Sequence, residues 1–483
     1  MLLGIDLGTS AVKALLMAAD GAVMGEASYP YAVSAPHPGW AESDPEDWWQ
    51  GVAIAVRQAT QQYTKQVQAI GLSGQMHGVV MCDAGGVPLR PAILWADGRS
   101  HNELAHYQVL GIDQLNPLAN PPTVGMAGPS LLWLRQWEPE VYHPARWALQ
   151  PKDWLRLRLT GTVATEPSDA SGTLMYDVAA GDWAIALIDA LHLRTDWLPP
   201  IVASGAIAGT LTPAAARHLG LPANLPVVAG AADTAAALLG SGLIEAGLCQ
   251  LTVGTGAQIT IIRDRPTFDP QGCTHLFQSA LPHQWYALAA MQNAGLALEW
   301  VRHILGLSWA DLYNAAFTVQ PGCEGLIFLP YLAGERTPHL DPTPTGAWIG
   351  LGLHHTRAHL ARAALEGVAL AIGQGFAALQ ATGAEPAELR LAGGGSLHPA
   401  WRQLLADILQ RPLLSTELGA ASARGAALLA GLGIGQYAQV QDLRAIAPLP
   451  KAQNTTAPTP LDPSLETARH RFAQLYPAVK LHP

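Results

Sequence analysis

An α/β protein made of two related halves that face each other across a cleft is the architecture this sequence predicts. Three observations lead there. At 483 residues the chain is longer than one hydrophobic core organises, so two large domains are expected. Short apolar runs of strand length alternate with small-residue, helix-compatible segments from one end to the other. A strand, a Gly-Thr turn and a second strand occur at Gly8-Thr9 and recur about halfway along at Gly254-Thr255. Two copies, one per half, indicate a duplicated domain and not a solenoid. The expected division is 1–243 and 244–483, with a Pro-rich connector at about 447–463 before a last helix.

Composition bounds the function. Hydrophobic residues make up 49% of the chain and charged ones only 13%, which predicts sizeable cores and no long disordered segment. The net charge of −10 and the lack of any Lys/Arg block argue against nucleic acid or an anionic membrane as partner. A nucleotide remains compatible, because it arrives with its own magnesium. Cys82, Cys249, Cys273 and Cys323 are scattered without metal-ligand spacing and read as buried thiols in a reducing compartment. No signal-peptide pattern follows Met1 and no uninterrupted apolar run reaches membrane-spanning length, so a cytoplasmic protein is expected. The assembly considered is a homodimer.

The elements follow in order. Met1 to Ile5 is an apolar strand that delivers Asp6 to a strand end, Gly8-Thr9-Ser10 turns the chain, and Val12 to Met17 leads away. Asp20-Gly21 marks the next hairpin turn. Asp44 fits an N-cap and Pro45 the first helical position of a helix running towards Gln62. Val67 to Leu72 is a buried-type strand ending in Ser73-Gly74-Gln75-Met76-His77-Gly78. Helices are expected near 128–137 and 152–159, and Asp169 to Asp177 reads as a polar loop suited to a cleft wall. Pro226 to Ala229 is a strand running into Gly230-Ala231-Ala232-Asp233-Thr234. In the second half, Leu248 to Val253 and Ala257 to Ile262 are strands, 308–317 and 358–378 are helices, and Leu389 to Leu391 is a strand ending in Ala392-Gly393-Gly394-Gly395-Ser396.

Several of these residues suit phosphate chemistry. In a small-residue turn no side chain blocks the backbone N–H groups, so Gly8-Thr9-Ser10 and Gly254-Thr255-Gly256 are two candidate phosphate cradles. Asp6 beside the first would repel phosphate unless a divalent cation stood between them, which makes it the candidate metal residue. The glycine run at 393–396 lets a flat ligand approach the backbone and a helix start face phosphate. It is neither the dinucleotide fingerprint nor a P-loop. Asp233, in a collar of Gly and Ala, reads either as a helix cap or as a general base meeting a substrate hydroxyl. Gln75, Met76 and His77 share one loop and suit a polyol. Trp95 and Asp97 are further candidates for the cleft, and Glu335-Arg336 reads as a local ion pair.

Together these stretches resemble the FGGY family of carbohydrate kinases, within the actin/hexokinase-type superfamily. Gly4-Ile5-Asp6-Leu7-Gly8-Thr9-Ser10 looks like the family's first phosphate motif. Gly346-x-Trp348-x-Gly350-Leu351 followed at His359 by His-Leu-x-x-Ala-Ala-Leu-Glu fits its C-terminal signature, and Gly393-Gly394-Gly395-Ser396 looks like its adenosine motif. Gly74 to Gly78, Trp40 to Trp49 and Trp95 to Arg99 look most like the xylulose-phosphorylating branch. The resemblance implies two ribonuclease H-like domains with mixed central sheets and an interdomain cleft. It implies ATP and Mg2+, a sugar bound at Met76-His77, and Asp233 as the base in phosphorylation of D-xylulose at O5. The alternatives are a kinase for ribulose, gluconate or a deoxyketose, or an actin- or chaperone-type ATPase switch. The chain departs from the family pattern at Ser130 (usually Lys), Gly256 (commonly Ser), Ala231-Ala232 (usually Gly) and Ala96 (often Asn).

Overall fold

Two seven-stranded mixed sheets organise the computed structural model, which describes residues 1–396, 398–416, 419–446 and 454–480. In the first sheet the order is Ile207–Thr210, Pro226–Val228, Ala69–Gly74, Leu2–Leu7, Ala11–Met17 and Val23–Pro30. A short strand, Ala231–Ala232, also pairs in parallel with Ala69–Gly74. The second runs His275–Gln278, Trp285–Met291, Ala257–Arg263, Cys249–Val253, Leu389–Ala392, Leu413–Ser415 and Thr455–Thr456. Each sheet is centred on an antiparallel hairpin whose first strand pairs in parallel with a later strand: Leu2–Leu7 with Ala69–Gly74, and Cys249–Val253 with Leu389–Ala392. The repeat seen as two Gly-Thr turns is therefore a repeat of sheet topology.

The parallel strands read as continuous apolar runs because they are covered on both faces. Leu2–Leu7 and Ala69–Gly74 are buried at every position. One cover comes from the far end of the chain. The helix Ala421–Gly433 lies against the first sheet, and only glycine lets it approach. A Cβ on Gly4 would stand 1.8 Å from the Ala423 carbonyl oxygen. The same helix crosses Asp233–Gly240, where a Cβ on Gly425 would meet the Ala236 oxygen at 1.9 Å. The small-residue composition of both helices is thus a packing requirement, and it fixes the start of the helix that carries Asp233.

Most predicted elements form with shifted ends. Asp44 caps Pro45–Thr60, accepting the Glu46 N–H at 2.9 Å. The helix Arg357–Ala381 is long and apolar enough to cross a bilayer, yet 78% of its most apolar window is buried inside the fold. Arg362 and Glu366 interrupt its apolar sequence, and the helix belongs to the core of the second half. The four cysteines are free and buried. Asp169 to Asp177 does not form a polar loop on a cleft wall: Asp169 is wholly buried at the end of the short helix Pro167–Ala170. The connector at 447–463 lies partly outside the described residues; Thr455–Thr456 within it is an edge strand of the second sheet.

Candidate active site

Three neighbouring parallel strands of the first sheet deliver their carboxyl ends to one place, the position where open α/β sheets bind ligands. Asp6 is in register with Ser73, and Ser73 with Ala231. Beyond these positions the chain supplies the Gly8–Ser10 turn, the Gln75–His77 loop and Asp233 respectively. The turn closes with the Gly8 N–H on the Ala11 oxygen at 3.1 Å. Asp6 is 8% exposed and accepts the Ser73 hydroxyl at 3.0 Å. No cation lies within ion-pair distance of it among the described residues, and burial raises its proton affinity against the opposing pull of Ser73 and Lys13. A buried carboxylate so placed fits a divalent cation, which would replace the missing countercharge.

Asp233 occupies the first position of its helix. It accepts the Thr234 N–H at 2.6 Å and the Thr234 hydroxyl at 3.2 Å. Burial, reinforced by the charge of Asp6, pushes its pKa up to about 7. The carboxyl thus exchanges its proton near neutrality, the range suited to a general base.

Next to Thr234 opens a cavity of about 60 Å³, walled by Met76, His77, Trp95, His275, Phe277 and Arg336 among others. His77 holds a left-handed backbone (φ 71°) fixed by its N–H on Gln150 Oε1 at 3.0 Å. Its Nδ1 faces the Gly172 carbonyl at 2.7 Å, so Nδ1 carries the hydrogen and Nε2 is left as an acceptor. Burial lowers its pKa to about 4, leaving the ring neutral. Trp95 joins this wall to the Gly8–Ser10 turn through its indole N–H on Thr9 Oγ1 at 2.9 Å.

The second sheet repeats the arrangement. Gly254-Thr255-Gly256 follows Cys249–Val253, and Gly394–Ser396 follows Leu389–Ala392. The Gly295 N–H donates to the Gly254 oxygen at 3.0 Å, bringing the helix Gly295–Ile304 to the turn. Gly254, Thr255, Gly394 and Gly395 share a cavity of about 730 Å³ with Trp309, Tyr313 and His398. The Tyr313 and His398 rings stack with centroids 4.3 Å apart. The cavity combines small-residue turns with aromatic faces, as a nucleotide's phosphates and base require.

Two small-residue turns, a carboxyl poised near neutrality and two cavities coincide with matches to known proteins. Residues 1–240 match the N-terminal domain, and residues 249–434 the C-terminal domain, of the FGGY family of carbohydrate kinases. The chain belongs to that family. It is 38% identical to the xylulose kinase of Escherichia coli K12, with 99% of each chain covered. It is 31% identical to the gluconokinase of Bacillus subtilis, covering 89% of this chain and 86% of that one. A crystal structure of a xyloylose kinase from Brucella ovis superposes with a TM-score of 0.93 at 34% identity over the whole of both chains.

In this FGGY kinase the predicted residues divide into two groups. Asp6, Gly8, Thr9, Ser10, Met76, His77 and Asp233 converge at the first sheet, and Gly254, Thr255, Gly256, Gly394, Gly395 and Ser396 at the second. Gln75 is fully buried; its Nε2 donates to the Gly8 oxygen at 3.5 Å, and its Oε1 has no hydrogen-bond partner among the described residues. Two expectations are corrected. Asp97 is also buried, accepting the Ala41 N–H at 2.6 Å and pairing with Arg99 at 2.7 Å. Glu335 and Arg336 are no ion pair: the carboxylate is occupied by backbone N–H groups of Gln292 and Arg336, and the guanidinium turns to the cavity.

Sequence reading missed the kinase's internal scaffold. Lys152, Asp153, Arg156, Glu166 and Asp169 are all buried to within 1%. The Lys152 ammonium lies 2.6 Å from Asp153 and 3.1 Å from Asp169. Arg156 donates to the Ala229 oxygen at 2.8 Å, and Ser168, bonded to Glu166, accepts the Ala232 N–H at 2.9 Å. Gln150 ties His77 to the Asp169 carbonyl. One buried charged network thus holds both the strand end before Asp233 and the His77 loop. The signal was present: the helix Pro151–Thr160 carries four charged residues at 152, 153, 156 and 158, three of them among buried apolar neighbours. His275 and Tyr313 had no comparable local signal.

Proposed function

We propose that this kinase transfers the γ-phosphoryl group of ATP to the O5 hydroxyl of D-xylulose. The observation that carries the chemistry is Asp233, a carboxyl with a pKa near 7 beside a cavity that has neutral His77 in its wall. As O5 attacks the γ-phosphorus in line, the bond to the β-γ bridging oxygen breaks and the O5 proton passes to Asp233. The turns at Gly8–Ser10 and Gly254–Gly256 offer backbone N–H groups to the charge on the transferring group. Gly394, Gly395 and Ser396, with Trp309, Tyr313 and His398, hold the adenosine. Met76 and His77 hold the sugar. Magnesium brought with the nucleotide would sit beside Asp6, where its charge neutralises the phosphates. The two lobes we assign are 1–243 for sugar and phosphate and 244–483 for nucleotide, with Ala421–Gly433 crossing back. Four buried free thiols suit the reducing cytoplasm, where ATP is available.

The choice of D-xylulose rests on the similarity to xylulose kinases; the gluconokinase relative favours gluconate as the second reading. A coupled ADP-release assay with D-xylulose, D-ribulose, D-gluconate and a deoxyketose decides between them. The expected result is the highest kcat/KM for D-xylulose. A higher value for any other sugar would overturn the assignment, and ATP turnover indifferent to all of them would favour an ATPase switch.

A further inference from the structure

The acceptor cavity holds one charged group that the transfer scheme leaves unused. Arg336 is fixed by its backbone: its N–H is bound to Glu335 Oε1 at 2.8 Å and its carbonyl accepts the Leu340 N–H at 2.6 Å. The side chain lines the cavity with its guanidinium carbon 5.9 Å from the centre of the Trp95 ring. Among the described residues the guanidinium has neither a hydrogen-bond acceptor nor a carboxylate within ion-pair distance. Arg336 is half-buried, and five donors that no protein acceptor meets are free to bind a ligand oxygen.

The two histidines of this wall define which oxygen. His77 donates from Nδ1 to the Gly172 carbonyl, leaving Nε2 as an acceptor. His275 Nδ1 faces Asn120 Oδ1 at 3.1 Å, an oxygen that also accepts the Leu276 N–H, so this ring likewise keeps Nε2 as its acceptor. Burial and the Arg336 charge hold both rings neutral, at about 4 and about 3. Two acceptor nitrogens suit hydroxyl hydrogens, whereas a donor-only fork suits an oxygen that has no hydrogen of its own. A 2-ketopentose has one such oxygen. Closing its furanose ring would use O5, so phosphorylation at O5 requires the open-chain form with its carbonyl free.

Accordingly, we propose that Arg336 hydrogen-bonds the C2 carbonyl oxygen of the open-chain ketose and makes the site select a ketose over the corresponding alditol. This deepens the functional reading above and rests on it. The test compares wild type with Arg336→Gln and Arg336→Lys, using D-xylulose as substrate and its two C2 reduction products, xylitol and D-arabinitol, as competitive inhibitors. Arg336→Gln is expected to raise the KM for D-xylulose about 10- to 100-fold, the size of a lost charge-assisted hydrogen bond, with kcat within about threefold. The inhibition constants of the alditols should change less than about threefold, and Arg336→Lys should fall between, since an ammonium keeps the charge without the fork. A D-xylulose KM within about twofold of wild type would overturn the proposal, as would equal weakening of ketose and alditols, or a fall in kcat at unchanged KM. The wild-type arm separates the two claims. Preference for another ketose would reject D-xylulose, with Arg336 judged on that ketose and its alditols; preference for an aldonate or alditol would reject both.

Discussion

Asp233→Asn separates the energetic account of the site from its chemistry, because the amide oxygen retains the Thr234 N–H bond while the charge is removed. In the folded protein burial and the Asp6 charge raise the carboxyl from 3.8 to about 7. The native state therefore binds this proton more tightly than the unfolded chain does. The associated stability is present in full below about pH 4 and is lost as pH rises through about 7. A shift of about three units at about 1.4 kcal/mol per unit sets an upper bound near 4 kcal/mol, and access of cleft water to the half-buried carboxyl reduces it to about 2. Urea melts without nucleotide or divalent cation, at pH 4 and pH 8, provide the assay, followed through the first unfolding transition because the chain has two domains. The variant should exceed wild type by about 2–4 kcal/mol at pH 8 and by under about 0.5 kcal/mol at pH 4. Sugar-dependent ADP release should fall by about 10²- to 10⁴-fold. Equal stabilities at pH 8 would refute the raised proton affinity, and near wild-type turnover would refute Asp233 as the base.

Three further outcomes are expected. Lys152→Met leaves Asp153, Glu166 and Asp169 with Arg156 as their remaining buried cation, and should destabilise the protein by about 3–5 kcal/mol in urea melts. Ser168→Ala deprives the Ala232 N–H of its acceptor, one residue before Asp233; kcat should fall about 2- to 10-fold with the sugar KM within about twofold, which steady-state kinetics will read. Tyr313→Ala removes one aromatic wall of the larger cavity and should raise the KM for ATP about 5- to 100-fold while leaving the sugar KM within about twofold.

Sequence by itself determined the elements whose cause is local. Asp44-Pro45 starts a helix because a capping oxygen and a preset φ act within one turn, and the two Gly-Thr turns end strands because small residues allow the backbone to reverse. The duplicated topology was legible for the same reason: each copy repeats its own local signals. Asp6, Met76, His77 and Asp233 were legible as candidates because each lies at or just after the end of a strand beside small residues. What only the tertiary structure decided involves partners far apart along the chain. Asp97 is chemically suited to a ligand, yet packing turns it inward to Ala41 and Arg99. Lys152 and Glu166 become one network with the strand before Asp233 because the fold brings 150–170 against 229–232. Arg336 changes from half of an expected ion pair to a cavity donor because backbone N–H groups occupy Glu335 first. A side chain's chemistry is a property of its residue, but its unoccupied donors and acceptors are settled by what the folded chain places within about 3 Å of them.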